Sequence, residues 1–196
     1  MIPRHFQITI ALLLATVLIS GLYMIRIMQN EQAKTERATE DLPVTTPVAG
    51  RQEHIPILVA YDEDRALRWR EAVVFMPDDR SLRVREALRA VLAEYAQVPS
   101  PHPLGRGVDI KDIYMINPET VVINTTPQFG DTHPSSALLE EMTLASLLET
   151  LRVNVPGIAR VKFLVDGKER ETLAGHIDLK SFYSLDTMEQ MAKELE

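Results

Sequence analysis

Val161-Lys-Phe-Leu-Val-Asp-Gly-Lys168, followed by Leu173-Ala-Gly-His-Ile-Asp-Leu179, is the stretch on which the reading of this chain turns. Val161, Phe163 and Val165 alternate with Lys162 and Leu164, which is the period-2 pattern of a strand with one strongly apolar face. Asp166-Gly167 closes that strand with a tight turn, because Gly takes positive φ without a Cβ clash and Asp can bond its own backbone. The strand and turn rules therefore predict a hairpin here.

Working back towards the N-terminus, Ile55–Tyr61 and Leu67–Met76 are β-rich runs separated by the charged turn Asp62-Glu-Asp-Arg65, and pair as strands. Val84, Ala87, Leu88, Val91, Leu92 and Tyr95 follow helical spacing, with Asp78, Asp79 or Ser81 as cap and Pro99, Pro101 and Pro103 as stop. Ile110–Ile116 and Thr120–Thr126 are strands joined by Asn117-Pro-Glu119. A second helix follows the capping groups of Thr132–Ser136 and runs to about Arg152, with Leu144, Leu147, Leu148 and Leu151 as its core stripe. The predicted class is α+β: a mostly antiparallel or mixed sheet with two main helices on one face.

The order of these parts, from the strand Ile57–Tyr61 through the helix Val84–Leu92, the strands around Val121–Asn124 and the Leu-rich helix to V-x-F-x-V-D-G-K and L-x-G-H-I-D-L, resembles the GerMN domain of sporulation and germination proteins and LpqB-type lipoproteins. The resemblance spans roughly Ile55 to Leu185. It implies an extracytoplasmic α+β domain associated with envelope and spore assembly, and it brings no catalytic motif. It also marks Asp166, Gly167, Lys168, Gly175, His176 and Asp178 as a family signature, which the turn chemistry reads as structural.

Phe6–Ile25 is twenty residues without a formal charge, enough to span about 30 Å as a helix, so the chain is expected to cross the membrane once there. No A-x-A site follows the run, which favours an uncleaved anchor over a signal peptide and secretion. A short N-terminal tail stays inside most easily, which puts the domain on the extracytoplasmic side of the cytoplasmic membrane. Residues 1–28 are thus tail and anchor, 29–53 a polar flexible tether, 54–186 the domain, and 187–196 a helical or frayed tail.

Residues 1–53 hold five Lys/Arg and five Asp/Glu, so the whole formal charge of −7 falls on the domain. This opposes nucleic acid as a partner, which needs a basic footprint. Arg80, Arg83, Arg85 and Arg89 form a local basic cluster, read as a solvated face and not a phosphate site. The chain has no cysteine, which excludes disulfides, thiol catalysis and lipobox acylation. His176 and Asp178 could share a strand face, but two ligands do not make a metal site. His102 and His133 have no spaced partners, and no nucleophile, P-loop or dinucleotide motif is present.

The sequence therefore predicts no enzyme and no cofactor. It predicts a membrane-anchored interaction module for an envelope protein, with peptidoglycan binding through acidic loops and Tyr61, Trp69 and Tyr114 as the alternative, and homo-oligomerisation as a further option.

Overall fold

The computed structural model describes residues 50–196, which lie in one compact unit beginning at Val48. The run Phe6–Ile25 and the tether up to residue 49 lie outside the described residues, and among those described no helix is long and apolar enough to cross a membrane.

The chain opens with β1 (Gly50–Tyr61) and β2 (Ala66–Pro77), an antiparallel hairpin in unbroken register from Gly50↔Pro77 to Tyr61↔Ala66. Helix α1 (Arg80–Tyr95) follows, and Asp79 Oδ1 accepts the Leu82 N–H at 2.9 Å, which satisfies one of the donors a helix start leaves open. Next come β3 (Ile110–Asn117), β4 (Thr120–Thr125), the single-turn α2 (Gln128–Asp131) and the long α3 (Ala137–Asn154). The last elements are β5 (Arg160–Val165), β6 (Tyr183–Ser184) and α4 (Leu185–Leu195).

The class is α+β, but the single sheet expected from the sequence is two: the β1–β2 hairpin, and a four-stranded sheet in the order β3-β4-β5-β6. In the second sheet β4 and β5 run parallel, from Thr120↔Arg160 to Thr125↔Val165. Parallel neighbours require a long crossover, and the α2–α3 segment supplies it. Ile123 and Phe163 lie side by side on the face that joins the core, together with Leu88, Leu148 and Ile57, all fully buried.

The turn at Asp166-Gly167 forms as predicted, with φ of +52° and +74°, the two left-handed positions of a I′ turn. The hairpin does not. The returning chain makes only the Val165↔Lys168 bridge, and the place beside β5 is taken by β6 through Val161↔Tyr183 and Arg160↔Ser184. Residues 174–177 are held instead by a carboxylate on α3. The final residues are a helix with Leu185, Met188 and Ala192 buried against the core, so the expected limit at residue 186 cuts through an element.

Candidate functional site

Helix α3 is buried over nearly its whole girth, and its polar side chains hold the surrounding loops. Glu140 is fully buried. Its Oε2 accepts the backbone N–H groups of Ala174 (3.1 Å), His176 (3.1 Å) and Ile177 (2.9 Å), and its Oε1 accepts His176 Nδ1–H at 2.8 Å. Burial opposes the charge, but the Ile177 N–H, the His176 ring and the other two N–H groups outweigh it and hold the carboxyl below its ordinary range. Three such closely spaced donors can converge on one oxygen only if the chain curls sharply, and Gly175 at φ +125° provides that curl. Gly175-His-Ile177 is thus an anion-binding loop closed around an internal anion.

His176 and Asp178 do not form a ligand pair. The first turns inward to Glu140, while Asp178 Oδ1 accepts the Lys180 N–H at 2.8 Å and its carbonyl takes the Tyr183 hydroxyl. Among the described residues no three His, Cys, Asp or Glu side chains are grouped to hold a metal. Asp166 meets Lys111 Nζ at 2.7 Å, which lowers its pKa, and Gly167 N–H reaches Asn124 Oδ1 at 2.7 Å, so the turn is pinned to β3 and β4. Lys168 gives the turn only its backbone bonds with Val165 and leaves its side chain exposed.

A second polar cluster was not legible in the sequence. His102 Nδ1 contacts Asp62 Oδ1 at 2.5 Å, and its Nε2 lies 2.6 Å from Thr143 Oγ1. Carboxylate, imidazole and hydroxyl in that order have the connectivity of a hydrolytic relay. Here the hydroxyl is sealed: Thr143 is fully buried, His133 Nε2 stands 2.7 Å away on another side, and the Leu139 carbonyl accepts at 2.9 Å. No direction is left for a substrate carbonyl to approach. Burial pushes His133 below the ordinary imidazole range, and its Nδ1 lies 2.8 Å from the Pro134 carbonyl. Next to it Tyr95 accepts the Ala60 N–H and donates to Ser146 Oγ at 2.8 Å. No buried side-chain polar atom among the described residues lacks a partner.

The arginine cluster is likewise spent. Arg83 forks onto Glu53, Arg89 forks onto Asp109 at 2.7 and 2.8 Å, Arg85 meets Glu86, and Arg80 donates to the Pro118 and Pro156 carbonyls. The three aromatics proposed for glycan stacking are scattered. Tyr61 borders a cleft of about 360 Å³ with Glu63 and Asp64, but Arg68 covers its ring at 5.0 Å. Trp69 is tied by its indole N–H to Glu196, and Tyr114 belongs to the other sheet.

Tyr114, Val122 and Lys162 share the face of the four-stranded sheet opposite Ile123 and Phe163; its middle, Thr120, Val122 and Asn124 of β4, is buried, and its β3 margin is exposed. Tyr114 is 48% and Ile116 63% exposed on that side. Phe182 extends the patch, with Arg160 and Lys162 each 5.5 Å from its ring.

No curated protein matches the sequence. Two solved structures are similar at a distance: a protein of Clostridium perfringens described as a lipoprotein (18% identity, TM-score 0.47, 70% of this chain and 89% of that one), and the tandem GerMN domains of the sporulation protein GerM from Bacillus subtilis (12% identity, TM-score 0.46, 67% of this chain). The chain spans 46% of the latter's length. The family model described as Germane, sporulation and spore germination, matches residues 60–171, more than half of the chain, with both long helices and the V-D-G-K turn inside it: the chain belongs to the Germane family, as its GerMN-like layout implied.

Proposed function

We propose that this protein is a non-enzymatic interaction module of the cell envelope, serving sporulation or a related assembly, and that it recruits a protein partner through the exposed apolar groups Tyr114, Ile116 and Phe182 at the edge of its four-stranded sheet. Residues 6–25 anchor it in the cytoplasmic membrane, and the tether before β1 carries the domain on the outer side. One observation carries the reading: no buried side-chain polar atom among the described residues lacks a partner, while the large apolar groups Tyr114 and Ile116 of β3 and Phe182 beside β5 are left exposed at 48%, 63% and 46%. Exposed aromatic and aliphatic groups rimmed by charge are the composition of a protein-docking surface.

A photo-crosslinking residue placed at Ile116 in the full, membrane-held chain tests this. It should trap one partner protein, a Tyr114→Ser substitution should abolish the product at unchanged melting temperature, and the same probe at Lys168 should trap none. Peptidoglycan is the second reading, favoured only by the acidic cleft beside Tyr61. Release of muropeptides that is lost in His176→Ala or Asp178→Ala, with melting unchanged, would overturn the module in favour of an enzyme.

A further inference from the structure

The strand edges of this fold are protected unequally. On β1, the Leu58 N–H donates to Thr150 Oγ1 at 2.8 Å, the Ala60 N–H to the Tyr95 hydroxyl at 3.0 Å, and Asn154 Nδ2 reaches the Pro56 carbonyl at 2.7 Å. Side chains of α1 and α3 thus stand in for a neighbouring strand. On the other sheet, β3 is interrupted by register shifts at Ile110/Asp112 and Met115/Asn117 and carries Lys111, and β6 is only two residues long. Bulges, lysines and short strands are the usual ways of blunting an edge.

The outer edge of β2 has no bulge and no lysine over its twelve residues, and its charged residues and proline are Arg68, Arg70, Glu71 and Pro77. Opposite residues of an antiparallel pair alternate between exchanging their bonds and both facing outward. Pro56 and Leu58 face outward, so their partners Glu71 and Trp69 do too, and by the same alternation Val73 and Phe75. Twelve residues run without a register shift, and among the described residues no hydrogen bond reaches the outward backbone groups of Trp69, Glu71, Val73 or Phe75. The same residues expose apolar side chains, Trp69 at 40%, Val73 at 53% and Phe75 at 66%.

We propose that β2 pairs antiparallel with β2 of a second copy of this chain, about a twofold axis through Ala72. This register sets Trp69 against Phe75 and Glu71 against Val73, and opposes no like charges directly. Moving the axis to Glu71 would face two carboxylates, and moving it to Val73 would place Trp69 opposite Pro77. The strand is thus self-complementary, as an isologous contact requires. About eight new backbone bonds would form, close to the number in an ordinary interface, and a marginal two-stranded ribbon would become a four-stranded sheet. The hairpin edge is separate from the exposed groups Tyr114, Ile116 and Phe182 of the other sheet, so this inference does not depend on the function proposed above.

The chain has no cysteine, which makes a single introduced thiol an unambiguous reporter. In the proposed register the two Ala72 Cα atoms lie about 4.5 Å apart in a non-bonded pair, within disulfide range. Full-length Ala72→Cys, oxidised in membranes and run without reductant, should give a covalent dimer of the chain. Val98→Cys, at a residue 98% exposed but off the strand, should give none. Adding Val73→Pro to Ala72→Cys removes an N–H that the hairpin itself does not use, and should cut the dimer at least tenfold with melting unchanged. A folded Ala72→Cys protein that stays monomeric, a dimer indifferent to Val73→Pro, or a disulfide to a different protein would each overturn the proposal.

Discussion

Replacing Glu140 tests the central claim about the signature loop, that it closes around a buried carboxylate. Glu140→Ala removes the acceptor of four hydrogen bonds at a fully buried site and strands three backbone N–H groups. Loss of one partner from such an arrangement costs about 3–5 kcal/mol. Glu140→Gln keeps an amide oxygen for the three backbone donors and gives up the bond to His176 Nδ1, at about 1.5–3 kcal/mol. The two variants should also differ from the parent in their response to pH. A carboxyl held below its ordinary range binds fewer protons folded than unfolded, so its contribution is complete above about pH 4.5 and is lost as pH falls through the folded value. His133, lowered by burial, acts in the same direction at higher pH, with stability falling as pH drops below about 6.5, and this loss is shared by parent and variant. Urea denaturation followed by circular dichroism from about pH 7 to about pH 3 should therefore show the gap between parent and Glu140→Gln narrowing only in the carboxylate window. A gap that is constant across that window, or a Glu140→Ala loss below about 1 kcal/mol, would refute the anchor.

Leu88→Ala and Leu148→Ala, both fully buried on the facing stripes of α1 and α3, should each lower stability by about 2–5 kcal/mol in denaturation curves. Gly167→Val should cost about 1–3 kcal/mol because a β-branched residue resists φ +74°, although space for its Cβ is open, while Lys168→Ala should stay within about 0.5 kcal/mol; equal melting temperatures would remove the turn's backbone argument. The full chain should remain in the membrane pellet after carbonate washing, and recovery of a soluble form beginning near residue 22 would identify a cleaved signal instead.

Local periodicity carried the sequence reading a long way. The pairing of the first two strands, a helix cap among Asp78, Asp79 and Ser81, the stripe from Val84 to Tyr95 and the stripe from Leu144 to Leu151 all rest on contacts within an element or across one turn, and such contacts leave a pattern in the residues themselves. What escaped depends on partners far apart in the chain. The β4–β5 pairing is set by how a crossover packs, and the route after Gly167 by Glu140, which lies on another element. Glu140 did leave one legible mark: it falls a turn before Leu144 on the apolar stripe, where a carboxylate needs a buried partner. Asp62, His102 and Thr143 left none, since a turn acid, a loop histidine and a helical threonine carry no common spacing.

The two buried polar clusters put acids, imidazoles and hydroxyls in contact to hold the fold together. Each cluster ties irregular backbone to α3: Asp62, His102 and His133 fasten the β1–β2 turn and two loops through Thr143, and Glu140 fastens residues 174–177. Loops without ladder bonds pay for their order in conformational entropy, and a charged or multiply shared acceptor inside the core offsets it far better than a surface pair would. Several loops around α3 are thereby fixed by bonds that converge on one helix.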